Sequence, residues 1–248
     1  TTTSGMYVTE DDAVTVTGVA VTVTDFNADG TTTVVTDGSQ SDLTSGLNGN
    51  VVLVTLNGTV TLTDGSDGDG LAVSANGSGN ILIDANTAGS DILVNANVVS
   101  GTGHVTLKAA DGIDVAAGVA ILTSTAGTIS VDAEGGALTM SGTSVMTATG
   151  SSLRLHASKD ITVGNLTAGD VSLVSDTGAI VNAVGSTKNV TATNLRMNSD
   201  DAIGAANRHM TTAVTNVTAQ SAGTTTSGMY VTEDDAVTVT GVAVTVTD

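Results

Sequence analysis

The chain has 248 residues, with six Lys and Arg against 25 Asp and Glu, for a formal net charge of −19. That balance excludes a phosphate-tracking nucleic-acid binder and a protein drawn to anionic membranes, since both need Lys and Arg. There is no Cys, Pro or Trp, and only two Tyr and one Phe, which excludes disulfides, thiolate metal sites and an aromatic core.

At 40% hydrophobic and 12% charged, the chain is too apolar for disorder. Its Val, Ile, Leu and Ala alternate with Thr, Ser and Asp, the pattern of β-strands. No apolar run approaches the ~18 residues of a membrane helix. A chain that opens on Thr without a signal peptide reads as a piece of something longer.

Residues 1–25, TTTSGMYVTEDDAVTVTGVAVTVTD, recur without a substitution at 224–248. The alternation in AVTVTGVAVTVT predicts strands with Val14, Val16, Val19, Val21 and Val23 turned inward. DFNADG (25–30) follows. Asp25, Asn27 and Asp29 before Gly30 match the first half of a calcium loop, where alternate hard oxygens converge on the ion. The second half has no bidentate Glu at its last position, so calcium at Asp25, Asn27 and Asp29 competes with a polar turn. Calcium is the one cofactor the sequence offers. Residues 26–49 read as an insertion on a stack of coils. TDGSDGDG (63–70) reads first as an acidic turn and second as a weaker calcium site at Asp64, Asp67 and Asp69.

A period emerges from residue 81. ILIDA (81–85), VTLKA (105–109), ISVDA (129–133) and LRLHA (153–157) start 24 residues apart. Each reads apolar, any, apolar, any, Ala. VSLVS (171–175) continues the series 18 residues later, and VTL (60–62) reads as its earlier member. A second short strand follows in each period, as in IDV (113–115), LTM (138–140), ITV (161–163) and AIV (179–181). A looser third follows in AILTST (120–125) and SVMTAT (144–149). Three short strands per turn of 18–24 residues predict an all-β parallel β-solenoid, in which stacking buries what one coil cannot. Sustained helical spacing is absent.

Stacked coils bring equivalent outward positions together. Asp84, Lys108, Asp132 and His156 then form an alternating charge ladder that sets register. No catalytic residue is expected. The three His are far apart in coil order, no hydrolase, kinase or dinucleotide signature is present, and Asp111 and Asp114, with Glu134 and Asp91 the closest carboxylates one coil away, make a weak constellation that reads as solvated turn charge. The terminal repeat continues the strand pattern of MTTAVTNVTAQSAG (210–223) with no linker. Residues 1–223 therefore read as one unit, and 224–248 as the start of an identical next one.

The stretches GAIV (178–181), DAIGAAN (201–207), TAVTNVTAQSAG (212–223) and MYVTEDDAVTV (6–16 and 229–239) resemble filamentous-haemagglutinin-like large bacterial exoproteins, giant surface proteins built of β-strand repeats. The resemblance implies a right-handed β-helix, export to the cell exterior or surface, and work as an adhesin or fibre. Its expected partners are further copies of the same repeat, with cell-surface glycans as a second class. Nucleic acid and membrane insertion are not expected. The alternative from another class is a polysaccharide-binding or -degrading β-helix, which an acidic cleft across adjacent coils would favour.

Overall fold

The computed structural model describes residues 5–223 and 228–247. Among them there are strands, turns and bends but no helix, hence none long and apolar enough to cross a membrane. The chain winds as a parallel β-solenoid whose coils contribute to three columns of strands.

Column one opens with Met6–Glu10, Val51–Thr55, Ile81–Ala85, Val105–Ala109 and Ile129–Ala133, each paired in parallel with the next. Column two runs through Val14–Val16, Val60–Leu62, Ile92–Val94, Ile113–Val115, Leu138–Met140, Ile161–Val163 and Ile180–Asn182. Single bridges extend it through Ile203 to Met229. Column three starts with Leu43–Ser45, Leu71–Ala75, Asn97–Ser100 and Ala120–Ser124. From Val145 onward columns three and one share strands. Val145–Ala157 lays its first residues on Ala120–Ser124 and its last on Ile129–Ala133. Gly150 marks the bend between them, with φ 71°, a value glycine reaches without a Cβ penalty. Asn165–Ser175, Val190–Ser199 and Met210–Ser221 repeat this two-column run.

The period-2 pattern explains the core. Val51–Thr55, Ile81–Ala85 and Val105–Ala109 alternate buried and half-buried positions along their length. Ile83, Leu107, Val131 and Leu155 stack at successive levels with no exposed surface. Each such side chain contributes about 1.5–3 kcal/mol of burial. Ala85, Ala109, Ala133 and Ala157 form a further buried column beside them.

One corner is built from glycine, because backbone there passes directly over backbone. A Cβ on Gly79 would lie 2.2 Å from the Gly49 carbonyl oxygen, one on Gly103 would lie 2.0 Å from that of Gly79, and one on Gly127 would lie 2.3 Å from that of Gly103. Buried hydroxyls satisfy the crowded carbonyls. Ser100 Oγ donates to Gly79 O at 2.8 Å and Thr123 Oγ1 to Gly103 O at 2.6 Å.

Three expectations change. The column-one strand before Ile81–Ala85 is Val51–Thr55, and VTL (60–62) belongs to column two. The long acidic turn 63–70 stretches that coil beyond the 24-residue period. Val19, Val21 and Val23 do not face the core and are 59%, 52% and 51% exposed. They lie in Val19–Phe26, which pairs antiparallel with Thr32–Gln40 as a hairpin projecting from the first coil. The hairpin thus begins inside the terminal repeat, ahead of residue 26, and Leu43–Ser45 has already rejoined the stack. Val-Thr alternation is the same in a core strand and in a two-stranded ribbon, so pattern alone does not separate them.

The second copy of the repeat occupies other columns than the first. Val8–Glu10 pair in column one, whereas their counterparts Val231–Glu233 pair with Met210–Thr212 in column three. Val14–Val16 lie in column two, whereas Thr238 and Val239, the counterparts of Thr15 and Val16, pair with Asn216 and Val217 in column one. These two segments are each displaced by about eight and two-thirds coils, whereas Met229 bridges Ile203 in column two against Met6 in column one, so the second copy follows a different local path from the first. The opening TTTS of each copy and the closing Asp248 lie outside the described residues.

Candidate functional site

The solenoid is open at its N-terminal end. Among the described residues, Met6–Glu10, Val14–Val16 and Leu43–Ser45 each have a parallel neighbour on one side only. Val8, Val14, Val16, Leu43 and Leu53 line an apolar hollow of about 420 Å³ there, walled on the far side by Val19 and Val21 of the hairpin. Unpaired strand edges beside an apolar hollow are a surface that another coil would complete.

An acidic corner adjoins this hollow. Asp42 sits between the hairpin and column three in a left-handed conformation, φ 62°. It is only 9% exposed, and its Oδ1 is fully buried without a hydrogen-bond partner. The loop 63–70 faces it, turning through Gly68 and Gly70 at φ 72° and 81°. Ser66 clasps this loop to the hairpin's return: its N–H donates to Ser41 Oγ at 2.9 Å, and its hydroxyl meets Ser39 Oγ at 2.5 Å. Asp64 Oδ1 accepts from Gly70 N at 2.9 Å and Asp69 Oδ1 from Leu71 N at 2.8 Å. The result brings carboxylate oxygens of Asp42, Asp67 and Asp69 within 4.8 Å of one another. Burial pushes Asp42 up to about 6, and the charges of Asp67, Asp69 and Asp64 push the same way.

The loop DFNADG forms the tip of the hairpin. Asn27 Nδ2 donates to Thr31 Oγ1 at 3.0 Å and Thr33 Oγ1 at 2.9 Å. Asp29 Oδ1 accepts from Thr31 N at 3.0 Å and Thr31 Oγ1 at 2.7 Å, and these bonds lower the Asp29 pKa. Asp25 lies opposite Thr33 in the ribbon. The turn therefore engages side chains of Asn27 and Asp29 in its own hydrogen bonds, and all three residues belong to the projecting ribbon.

Asp84, Lys108, Asp132 and His156 occupy one outward position on four successive coils. Their contacts are less regular than their register. Lys108 Nζ pairs with Glu134 at 3.1 Å, and that hydrogen bond raises its pKa. Asp84 Oδ1 is buried without a hydrogen-bond partner; burial raises its pKa against the pull of Lys108. His156 is clamped, with Nδ1 2.6 Å from Asp132 and Nε2 3.1 Å from Asp176. Arg154 joins Asp132 at 3.3 Å. The hydrogen bond to Asp132 raises the His156 pKa in spite of burial, with Asp176 adding to it. Burial works to raise Asp132, but His156 and Arg154 outweigh it and hold it low. A ring with a carboxylate on each nitrogen holds its proton as a clamp and is poorly suited to act as a base.

The signs of these shifts fix a pH window. The raised His156 contributes stability that is full below its unfolded value near 6.5 and lost as pH rises through the folded pKa. The lowered Asp132 contributes stability that is full above 3.8 and lost as pH falls through its folded pKa. His156→Gln is expected to lower stability by about 1 kcal/mol at pH 5–6, and melting curves at stepped pH should show the gap narrowing above neutrality. A constant gap from pH 5 to 9 would refute the clamp.

At the C-terminal end, the second copy is held by its own acidic residues. Glu233 accepts from Val214 N at 3.0 Å and from Thr212 Oγ1 at 2.7 Å. Asp234 pairs with Lys188. In the first copy the matching Glu10 accepts from the neighbouring Asp11 N at 3.1 Å. Thr240 N still donates to Val217 O at 3.1 Å; beyond it Thr247 reaches back to Thr128, whose hydroxyl donates to the Thr247 carbonyl at 3.0 Å. Comparison with protein-family models, curated proteins and solved structures finds no match to this chain.

Proposed function

We propose that this chain is a structural segment of a long extracellular fibre or giant adhesin of a bacterium, extended coil on coil by further copies of the same repeat. The fibre works by reach, stiffness and attachment between cells or to surfaces. One observation carries this reading: the same 25-residue sequence lies at both ends of one stack. At the first end its strands present free edges and an apolar hollow. At the other end its copy is laid on the last coils by strand pairing. A solenoid whose opening sequence also pairs with its closing coils can be continued by repetition. The density of acidic charge keeps neighbouring fibres apart.

Electron microscopy of the native material tests this. Long unbranched filaments are expected, and isolated compact particles would overturn the reading in favour of a polysaccharide-acting β-helix or another discrete particle. The mass of the denatured protein separates a covalent tandem array from assembly of single units.

A further inference from the structure

All six Lys and Arg of the sequence lie between Lys108 and Arg208. The acidic corner of Asp42, Asp67 and Asp69 thus belongs to a stretch of more than a hundred residues without a lysine or arginine. Three carboxylates that share a space less than 5 Å wide repel one another strongly, the more so with one of them buried. Asp42 is the decisive member. Its carboxylate is drawn out of water, its Oδ1 has no hydrogen bond, and its backbone is held in the left-handed region to place it there. A buried carboxylate without a partner is destabilising unless a proton or a cation compensates it.

We propose that Asp42, Asp67 and Asp69 hold a calcium ion that ties the base of the hairpin to the loop 63–70. The donors are all hard carboxylate oxygens, with no imidazole or sulfur, which selects calcium or magnesium over zinc or copper. The loop is glycine-rich and irregular, and the donors come from two separate segments. Calcium accepts such loose geometry and fills its remaining positions with main-chain oxygens and water, whereas magnesium demands a near-ideal octahedron. The ion bridges consecutive coils at the open end, where the stack has fewest strand partners. It does so whether or not the chain builds fibres.

The test is thermal unfolding of the whole chain after chelation, with calcium, with magnesium and with neither. Calcium at a hundred times its dissociation constant is expected to raise Tm by about 5–11 °C, with one ion bound per chain at this site by calorimetric titration. Asp42→Asn suits the left-handed backbone, which Asn tolerates, so the variant should fold. It is expected to melt higher than the wild type in chelator and to lose the calcium shift. Asp29→Asn, at the hairpin tip, is expected to keep it. A wild type indifferent to calcium, a shift that survives in Asp42→Asn, or a shift abolished by Asp29→Asn would overturn the assignment. Equal stabilisation by magnesium would overturn the choice of ion.

Discussion

Gly103→Ala is expected to lower stability by about 3 kcal/mol, the upper end of ordinary overpacking, and to lower Tm by roughly 6–12 °C. The added methyl would stand 2.0 Å from the Gly79 carbonyl oxygen and 2.9 Å from Ser100 Oγ. Neither can yield easily. The carbonyl belongs to the coil beneath, and Ser100 Oγ already donates to it while accepting from Gly103 N at 2.9 Å. Relief therefore requires two coils to part at this corner. Parting them breaks contact between Leu107 and Ile83 and between their neighbours along the strand. Gly38→Ala is the control. Nothing lies within 4 Å of its added Cβ, and a change within about 0.5 kcal/mol is expected. Denaturant melts of the two variants decide the matter. Equal stabilities would mean that the corner relaxes at no cost and that the glycine column has no steric role.

The second large effect concerns the fibre. In the proposed fibre the step can be taken from the two copies seen here: Val8–Glu10 lie in column one of the first coil and Val231–Glu233 in column three of the ninth, eight and two-thirds coils on. At about 4.8 Å per coil, the axial step per unit is about 42 Å. At roughly 20–24 residues per coil, the 223 residues from copy to copy predict about ten coils and about 48 Å. The missing third of a coil matters more than the length. A fibre that kept this step would rotate each unit by one column relative to the last, so that only every third unit would repeat in position, after about 125 Å. Averaged images of filaments should show layer lines from both spacings. A single spacing that repeats unit by unit would overturn the rotation. Glu233→Ala removes the carboxylate that takes Val214 N and Thr212 Oγ1. The hold of the second copy on the last coils is expected to weaken by about 1–2 kcal/mol, seen as a lower melting temperature of the whole chain.

Much of the solenoid was legible because its signal is repeated. One strand such as ISVDA says little, but four spaced by 24 residues place Ile129 over Val105 and under Leu153. The columns of short strands such as Ile113–Val115 were legible for the same reason. Legibility failed where the period breaks. Val19–Phe26 alternates like its neighbours, and only the return strand Thr32–Gln40 reveals it as a ribbon. The acidic corner was half visible. Asp64, Asp67 and Asp69 stand out as a run, but Asp42 is separated from Asp67 by 24 other residues. Nothing local marks it as the buried member. Its one sequence signal is its place beside a strand start, which gains meaning only when Leu43 is known to pair with Val73. Likewise, the ladder from Asp84 to His156 follows from register, while the partners Glu134 and Asp176 depend on side-chain reach across coils.

The hairpin gives the rotation a further meaning. It projects from the first coil with Phe26 79% and Val34 66% exposed, a blade that shows apolar side chains among its own Asp25, Asp29 and Asp37. In a filament of such units, each blade points a third of a turn away from the last. Three rows of blades then spiral along the shaft, as the fletching of an arrow would if each vane were cut short and set behind the previous one. A filament so dressed has no smooth side. Against the acidic charge that holds neighbouring fibres apart, such blades would be the places where contact could still be made, and they would face every direction.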